Sequence, residues 1–409
     1  MKRARWTMLA AASIVCTLSG GSRADDPARA VVELRDGGAK TSGTLLGEGA
    51  DGIELAVESA EGSHTQFLRW DQVFSLTTPV ENAARAPRIA AGERVWRGRS
   101  RLSRGDLRAA REVFQQSLEH VDRAAPISRM LVNEGLARTA TAAPDLWTDS
   151  LEAALSAASW RARISVPDAW LGSHDAFDVR SGLMLAVAPA WLDGAEAKRA
   201  REQLAAAADR ERLSGDHPLA QLLTLAARIA AADAGTPEKA PARVSAAPPA
   251  VGEDPRSADA MHEPASTAAR AASKLGLRLL TGWADAVSAD APARKRGRET
   301  LQAIARSESG PVRMWAIYAV GRSLAMDDDA DKVRSGVGMM LTIPAAYASE
   351  APRLADAALV QSTIALERIH DDDSAAALRA MRSSRRAADQ FESQSTLQSA
   401  TQSIHGAIP

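Results

Sequence analysis

One stretch constrains the fold of this chain more than any other: Gly105-Asp106-Leu107-Arg108-Ala109-Ala110-Arg111-Glu112-Val113-Phe114-Gln115-Gln116-Ser117-Leu118. Leu107, Ala110, Phe114, Ser117 and Leu118 recur at helical spacing and make one packing face. Gly105 and Asp106 supply a turn and a helix start immediately before it. A second stripe, Ala91, Val95, Gly98 and Leu102, lies just upstream. Two short amphipathic helices joined by a tight turn cannot bury both faces alone, so the pattern calls for stacked neighbours. It points to a helical scaffold and supplies no catalytic constellation.

What precedes that helical hairpin has a different period. Val32 and Leu34 alternate with polar residues and run into Asp36-Gly37-Gly38. Leu45, then Ile53, Leu55 and Val57, then Phe67, then Val73 and Leu76 mark further short strands, separated at Gly47–Gly52 and Glu61-Gly62-Ser63. Alternation broken by Gly/Asp turns predicts an antiparallel module over residues 30–80. About five strands in so short a span favour a closed mini-barrel, because an open sheet of this size leaves unpaired edges.

The N-terminus reads as an export signal. Lys2, Arg3 and Arg5 precede the apolar run Trp6–Leu18, and Ser22-Arg23-Ala24 fits a small-x-small cleavage site, which makes residues 1–24 the removed segment. No later apolar run approaches the roughly 20 residues a spanning helix needs, so no integral membrane segment is expected. The expected location is the periplasm, the cell surface or the extracellular space. Cys16, the only cysteine, lies inside the signal; Val15 before it does not suit a lipidation site. The processed chain then has neither disulfide nor thiol nucleophile. Its 46 basic and 51 acidic residues leave a balance of −5, which argues against nucleic acid as a partner.

From about residue 82 the helical period persists to 233, with helices expected near 194–213 and 217–233. Val166–Ala190, with Trp170 and Pro189, reads as an irregular insertion. Residues 234–265 hold six prolines and almost no large apolar side chain, the composition of a disordered linker. Arg243 and Arg256 are its expected protease sites, and the helical stretches on either side are expected to be separate or lightly docked. A second helical region follows over 266–391, and the Ser/Gln-rich 392–409 reads as a flexible tail.

Two resemblances attach to these residues. The block 91–124 resembles a tetratricopeptide repeat, with Gly98, Leu102, Ala110, Phe114 and Ser117 on that family's small and aromatic packing positions. Arg94 and Arg101 depart from its usual tryptophan and tyrosine, although Trp96 lies nearby. The segment Val32-x-Leu34-x-Asp36-Gly37, Gly43-x-Leu45, Asp51-x-Ile53 and Leu68–Val73 resembles the Sm-like and SH3-like small barrels. Trp70 stands where an Sm protein usually has glycine, and RNA binding is not carried over. Together they imply an α+β multidomain chain, a small antiparallel β-barrel followed by mostly α helical-repeat arrays, an α-solenoid of tetratricopeptide-like kind. In such stacks the first helix of each pair lines the groove. The resemblance therefore implies Arg99 and Ser103, opposite the packing stripe, as partner-binding residues.

Other motifs have plainer readings. Gly47–Gly52 spells G-x-G-x-x-G but continues into a strand, so it is a hairpin turn rather than a dinucleotide fingerprint. Asp327-Asp328-Asp329-Ala330-Asp331 lacks the glycine and glutamate a calcium loop needs, since Lys332 and Gly338 occupy those positions, and reads as a capped turn. Asp371-Asp372-Asp373 reads the same way. The basic run Arg294-Lys295-Arg296-Gly297-Arg298 reads as a solvated face, with an anionic partner site as the sharper alternative. The histidines are scattered; His174 with Asp175 or Asp178 is the one grouping to check. Trp147, Trp160, Trp170 and Trp191 read as core. The leading expectation is an exported, non-catalytic scaffold for protein partners in the cell envelope, with no cofactor or metal. The alternatives are an extracellular carbohydrate-active enzyme with a helical cleft and a self-assembling envelope structural protein.

Overall fold

The computed structural model describes residues 29–37, 40–60, 62–141, 143–164, 176–178, 180–240 and 267–387. The expected signal segment, the Arg243 and Arg256 sites, Trp170, His174, Asp175 and the tail from 392 lie outside them.

Five strands open the described chain: β1 (Arg29–Leu34), β2 (Thr41–Glu48), β3 (Gly52–Ser59), β4 (Gly62–Arg69) and β5 (Val73–Thr77). Each pairs antiparallel, in the order β4-β3-β2-β1-β5. Ala30, Val32, Ile53, Leu55, Leu68, Trp70, Val73 and Leu76 are buried together, as period-2 alternation requires of a one-faced sheet. The G-x-G-x-x-G stretch closes the β2–β3 hairpin, with Gly49 N donating to Gly52 O at 2.8 Å.

The sheet is open, which corrects the expected closed barrel: β4 and β5 are its two edges. Closure would remove unpaired edges, but both edges remain, and the apolar face is not covered by the sheet curling on itself. Instead α1 (Arg85–Ser103) covers that face, packing Ile89 against it and setting Gly92 against the Trp70 carbonyl. The helix buries the face without closing the sheet, and it packs beside the edge strand β5.

The helices follow in successive packed pairs: α1 with α2 (Leu107–His120), α3 (Pro126–Ala140) with α4 (Trp147–Arg161), α5 (Gly194–Leu213) with α6 (His217–Asp233), α7 (Thr267–Ala286) with α8 (Ala291–Ser307), and α9 (Gly310–Ala325) with α10 (Ala330–Ala346). Then come α11 (Pro352–Arg368), packed on α10, and α12 (372–387). Local chemistry fixes many of the starts. Asp106, Asp193, Asp216, Asp290 and Asp329 each accept backbone N–H bonds at a helix N-terminus, and Pro126, Pro218, Pro292, Pro311 and Pro352 sit in first turns. Gly105 takes φ +79° in the α1–α2 turn, a conformation that favours glycine.

The two helical stretches share one apolar core, so they are not lightly docked halves. α6 packs on α7, Arg228 pairs with Asp285 at 3.1 Å, and Arg322 pairs with Asp233 at 2.9 Å. The described part of the expected insertion lies inside this core. Leu183, Met184, Leu185, Val187, Ala188 and Ala190 are all buried, as is Trp191 just after the insertion. Its backbone serves both stretches: Ala188 O accepts from Trp147 Nε1 at 3.2 Å and Leu185 O from Trp315 Nε1 at 3.0 Å.

Candidate functional site

The site is built around Phe114. Its ring, fully buried, lies between Gly98 of α1 and Gly135 of α3. A β-carbon at Gly98 would come within 2.6 Å of the ring, and one at Gly135 would overlap it too. Two glycines thus let α1 and α3 approach each other across the aromatic residue of α2. Between α1 and α3 a groove of about 320 Å³ remains open, with Phe114 and Leu131 in its lining.

Arg99 and Ser103 both line this groove. The structure adds Trp96 from α1, Glu134 and Arg138 from α3, and Asp36 from the turn after β1. Trp96 Nε1 donates to Asp36 Oδ1 at 2.9 Å, which ties the groove to the sheet. Arg138 meets Glu134 at 3.3 Å, one helical turn away, and is half exposed. Ser103 Oγ donates to Ser100 O at 2.9 Å and its side chain stays exposed.

Arg99 has a second job. Its guanidinium donates to Asp71 Oδ2 at 2.6 Å, while Arg69 Nε donates to Asp71 Oδ1 at 2.9 Å. Burial pushes the Asp71 carboxyl up, but the two guanidinium groups outweigh it and hold the carboxyl below its ordinary range. Arg99 therefore joins groove to sheet, with about two-fifths of its side chain open to the groove side and solvent. Asp51 makes the other tie: its carboxylate accepts from Ile127 N at 3.0 Å and Ser128 N at 2.9 Å, capping α3 from the β2–β3 turn. Burial raises the Asp51 pKa despite these bonds.

Sequence reasoning reached Arg99 and Ser103 through the first helix of the repeat. It missed Glu134 and Arg138, whose signal was their i,i+4 spacing on the next first helix. Asp36 was visible only as a turn residue. Nothing in its neighbours announces a hydrogen bond to an indole 60 positions away.

The remaining motifs fall where local chemistry puts them. Asp329 accepts from Asp331 N and Lys332 N and caps α10, while Asp327 meets Lys332 at 3.4 Å. Asp371 bonds Ser374 and starts α12. Asp178 accepts from Ser181 N at 2.7 Å and Ser181 Oγ at 2.8 Å, closing a local turn. Trp147 and Trp191 are buried in the core, so neither can stack on a sugar ring; Trp160 is half-buried, with the guanidinium of Arg163 4.4 Å from its ring centre. Among the described residues no group of three or more His, Cys, Asp or Glu could hold a metal ion, and no helix is long and apolar enough to cross a membrane.

No family model, no curated protein and no solved structure matches this chain.

Proposed function

We propose that this chain is an exported scaffold that holds a protein partner of the cell envelope in the groove between α1 and α3. The observation that carries the reading is that groove. Two successive first helices present Arg99, Ser103, Glu134 and Arg138 along one open channel. On this reading the helical pairs are tetratricopeptide-like, and their inner helices form the extended concave surface that such stacks use for binding. An exposed Arg beside an indole is the kind of lining enriched at protein interfaces. The cleavage pattern ending at Ala24 supports export; N-terminal sequencing of the mature protein from an envelope fraction is expected to begin at Asp25.

Arg99→Glu is a poor probe of the groove, because it would place a second carboxylate against the buried Asp71. Ser103→Glu and Ser103→Trp change one exposed side chain only. Pull-downs from an envelope extract with wild type and these two variants are expected to recover a shared partner with wild type and lose it with both. Melting curves of the three proteins should coincide. Equal recovery of every protein by all three overturns the reading.

A further inference from the structure

A second cavity, of about 390 Å³, lies where α5 and α6 of the first helical stretch meet α7 and α8 of the second. Ligand sites favour such junctions and such volumes. Ala220 and Leu225 supply apolar wall, and Thr224 and Thr281 add methyl groups. Arg212, Arg228 and Arg296 also line it, with Asp285 as the one carboxylate. That carboxylate is already committed to Arg228, at 3.1 Å. Arg228 is more than nine-tenths buried, and its Nε has no hydrogen-bond partner. At the mouth, Arg212 is paired with the exposed Asp209, while Arg296 makes no ion pair or hydrogen bond within the described residues.

Arg296 belongs to the densest basic run of the chain, and the structure separates that run's members. Arg294 is spent on the carbonyls of Ser288 and Ala289, each at 2.9 Å. Gly297 is buried against Ala286, where a β-carbon would collide with the backbone of α7. Lys295 is exposed and outside the cavity, and Arg296 is turned to its mouth. A guanidinium without an ion partner among the described residues, over an apolar pocket with a half-satisfied buried guanidinium in its wall, is the complement of an anion on an apolar stem. A fork of N–H donors matches a carboxylate in particular.

We propose that this cavity binds a carboxylate carried on a short apolar stem, with Arg296 as its charge partner and the Ala220–Leu225 wall taking the stem. The carboxylate can belong to a small organic acid or to an acidic side chain of a peptide, and the test separates the two. Calorimetric titration of the mature protein with hexanoate probes the free acid. Titration with the capped pentapeptide acetyl-Ala-Leu-Glu-Leu-Ala-amide probes the peptide-borne group. Hexanamide, with the same stem and no charge, is the control for either.

Saturable binding of hexanoate or of the peptide is expected, with hexanamide weaker by tenfold or more. Arg296→Gln should weaken that binding about tenfold, Arg296→Lys should recover part of it, and Lys295→Gln should leave it unchanged. Arg296 and Lys295 are both exposed, so melting curves of all three variants should match wild type. The proposal is overturned if neither probe binds at millimolar concentration. It is equally overturned if Arg296→Gln binds as wild type does, or if Lys295→Gln loses as much as Arg296→Gln. None of these outcomes depends on the groove between α1 and α3.

Discussion

The carboxylates of Asp71 and Asp233 are both almost wholly out of solvent, and each is ion-paired across a junction of the molecule, yet their carboxyls move in opposite directions. At the junction of sheet and helices, Asp71 faces Arg69 and Arg99, and its pKa falls below the ordinary 3.8. At the junction of the two helical stretches, Asp233 faces Arg322 alone, and burial wins: its pKa rises above 3.8. The difference teaches a counting rule for buried pairs. Desolvation costs each ion several kcal/mol, and one guanidinium offsets it incompletely where two overcompensate. The sheet is therefore held by a clamp that favours the charged state. The helical stretches are held mainly by apolar packing, with an ion pair that burial penalises.

The broadest way to break the comparison is to sever the second junction. Fragments of about 25–242 and 257–409 would each expose the face that now carries Leu225, Trp283, Trp315 and Tyr318 in one core. Each fragment alone is expected to melt without a cooperative transition or to aggregate, because cut repeats expose apolar surface. Two independent, reversible melts by circular dichroism would show that apolar packing does not bind the stretches.

Substitution of the clamp comes next. Asp71→Ala removes the carboxylate that buried Arg69 and part-buried Arg99 share, and the expected loss in urea unfolding at pH 7 is about 3–5 kcal/mol. Asp233→Asn keeps an acceptor for Arg322 and removes a penalised charge, so a loss of about 1–2 kcal/mol is expected. Equal losses would erase the distinction between the junctions.

The smallest effect, and the sharpest, is in pH. Asp71 is depressed in the folded state. Its stabilisation, read as wild type minus Asp71→Asn, should be full above about pH 4 and fade as pH falls through the folded pKa. Asp233 is raised. Wild type minus Asp233→Asn should favour wild type most below about pH 4 and shrink as pH rises through the raised pKa. Denaturant midpoints across pH 2.5–7 measure both. Slopes of the same sign in the two differences would contradict the counting rule.

A β-carbon at Gly92 would fall inside the contact shell of the Trp70 carbonyl, so this glycine belongs to the first junction as much as Asp71 does. Neither role was legible beforehand. The stripe read from the sequence passes through Ala91 and leaves out Gly92, the residue that is buried, and Asp71 stands there only as a polar residue within Leu68–Val73. By contrast, α5 and α6 occupy the spans where helices are expected, 194–213 and 217–233. Asp193 and Asp216 announce those starts through bonds made within three residues.

Local pattern by itself determined the antiparallel strands, the α1–α2 hairpin with its Gly105 turn, the spans of α5 and α6 and the hairpin reading of Gly47–Gly52. Each rests on contacts between residues a few positions apart, which periodicity and turn chemistry encode directly. Only the tertiary structure decided that the sheet stays open under α1, that residues 183–191 fill the core between the helical stretches, and that Arg99 is tied to Asp71. Only it brought Arg296 to an apolar cavity with Arg228. Those outcomes depend on which distant surface supplies the missing contact: a helix to cover a sheet face, an indole N–H to satisfy a loop carbonyl, a second guanidinium to offset a buried carboxylate. No spacing along the chain records that choice.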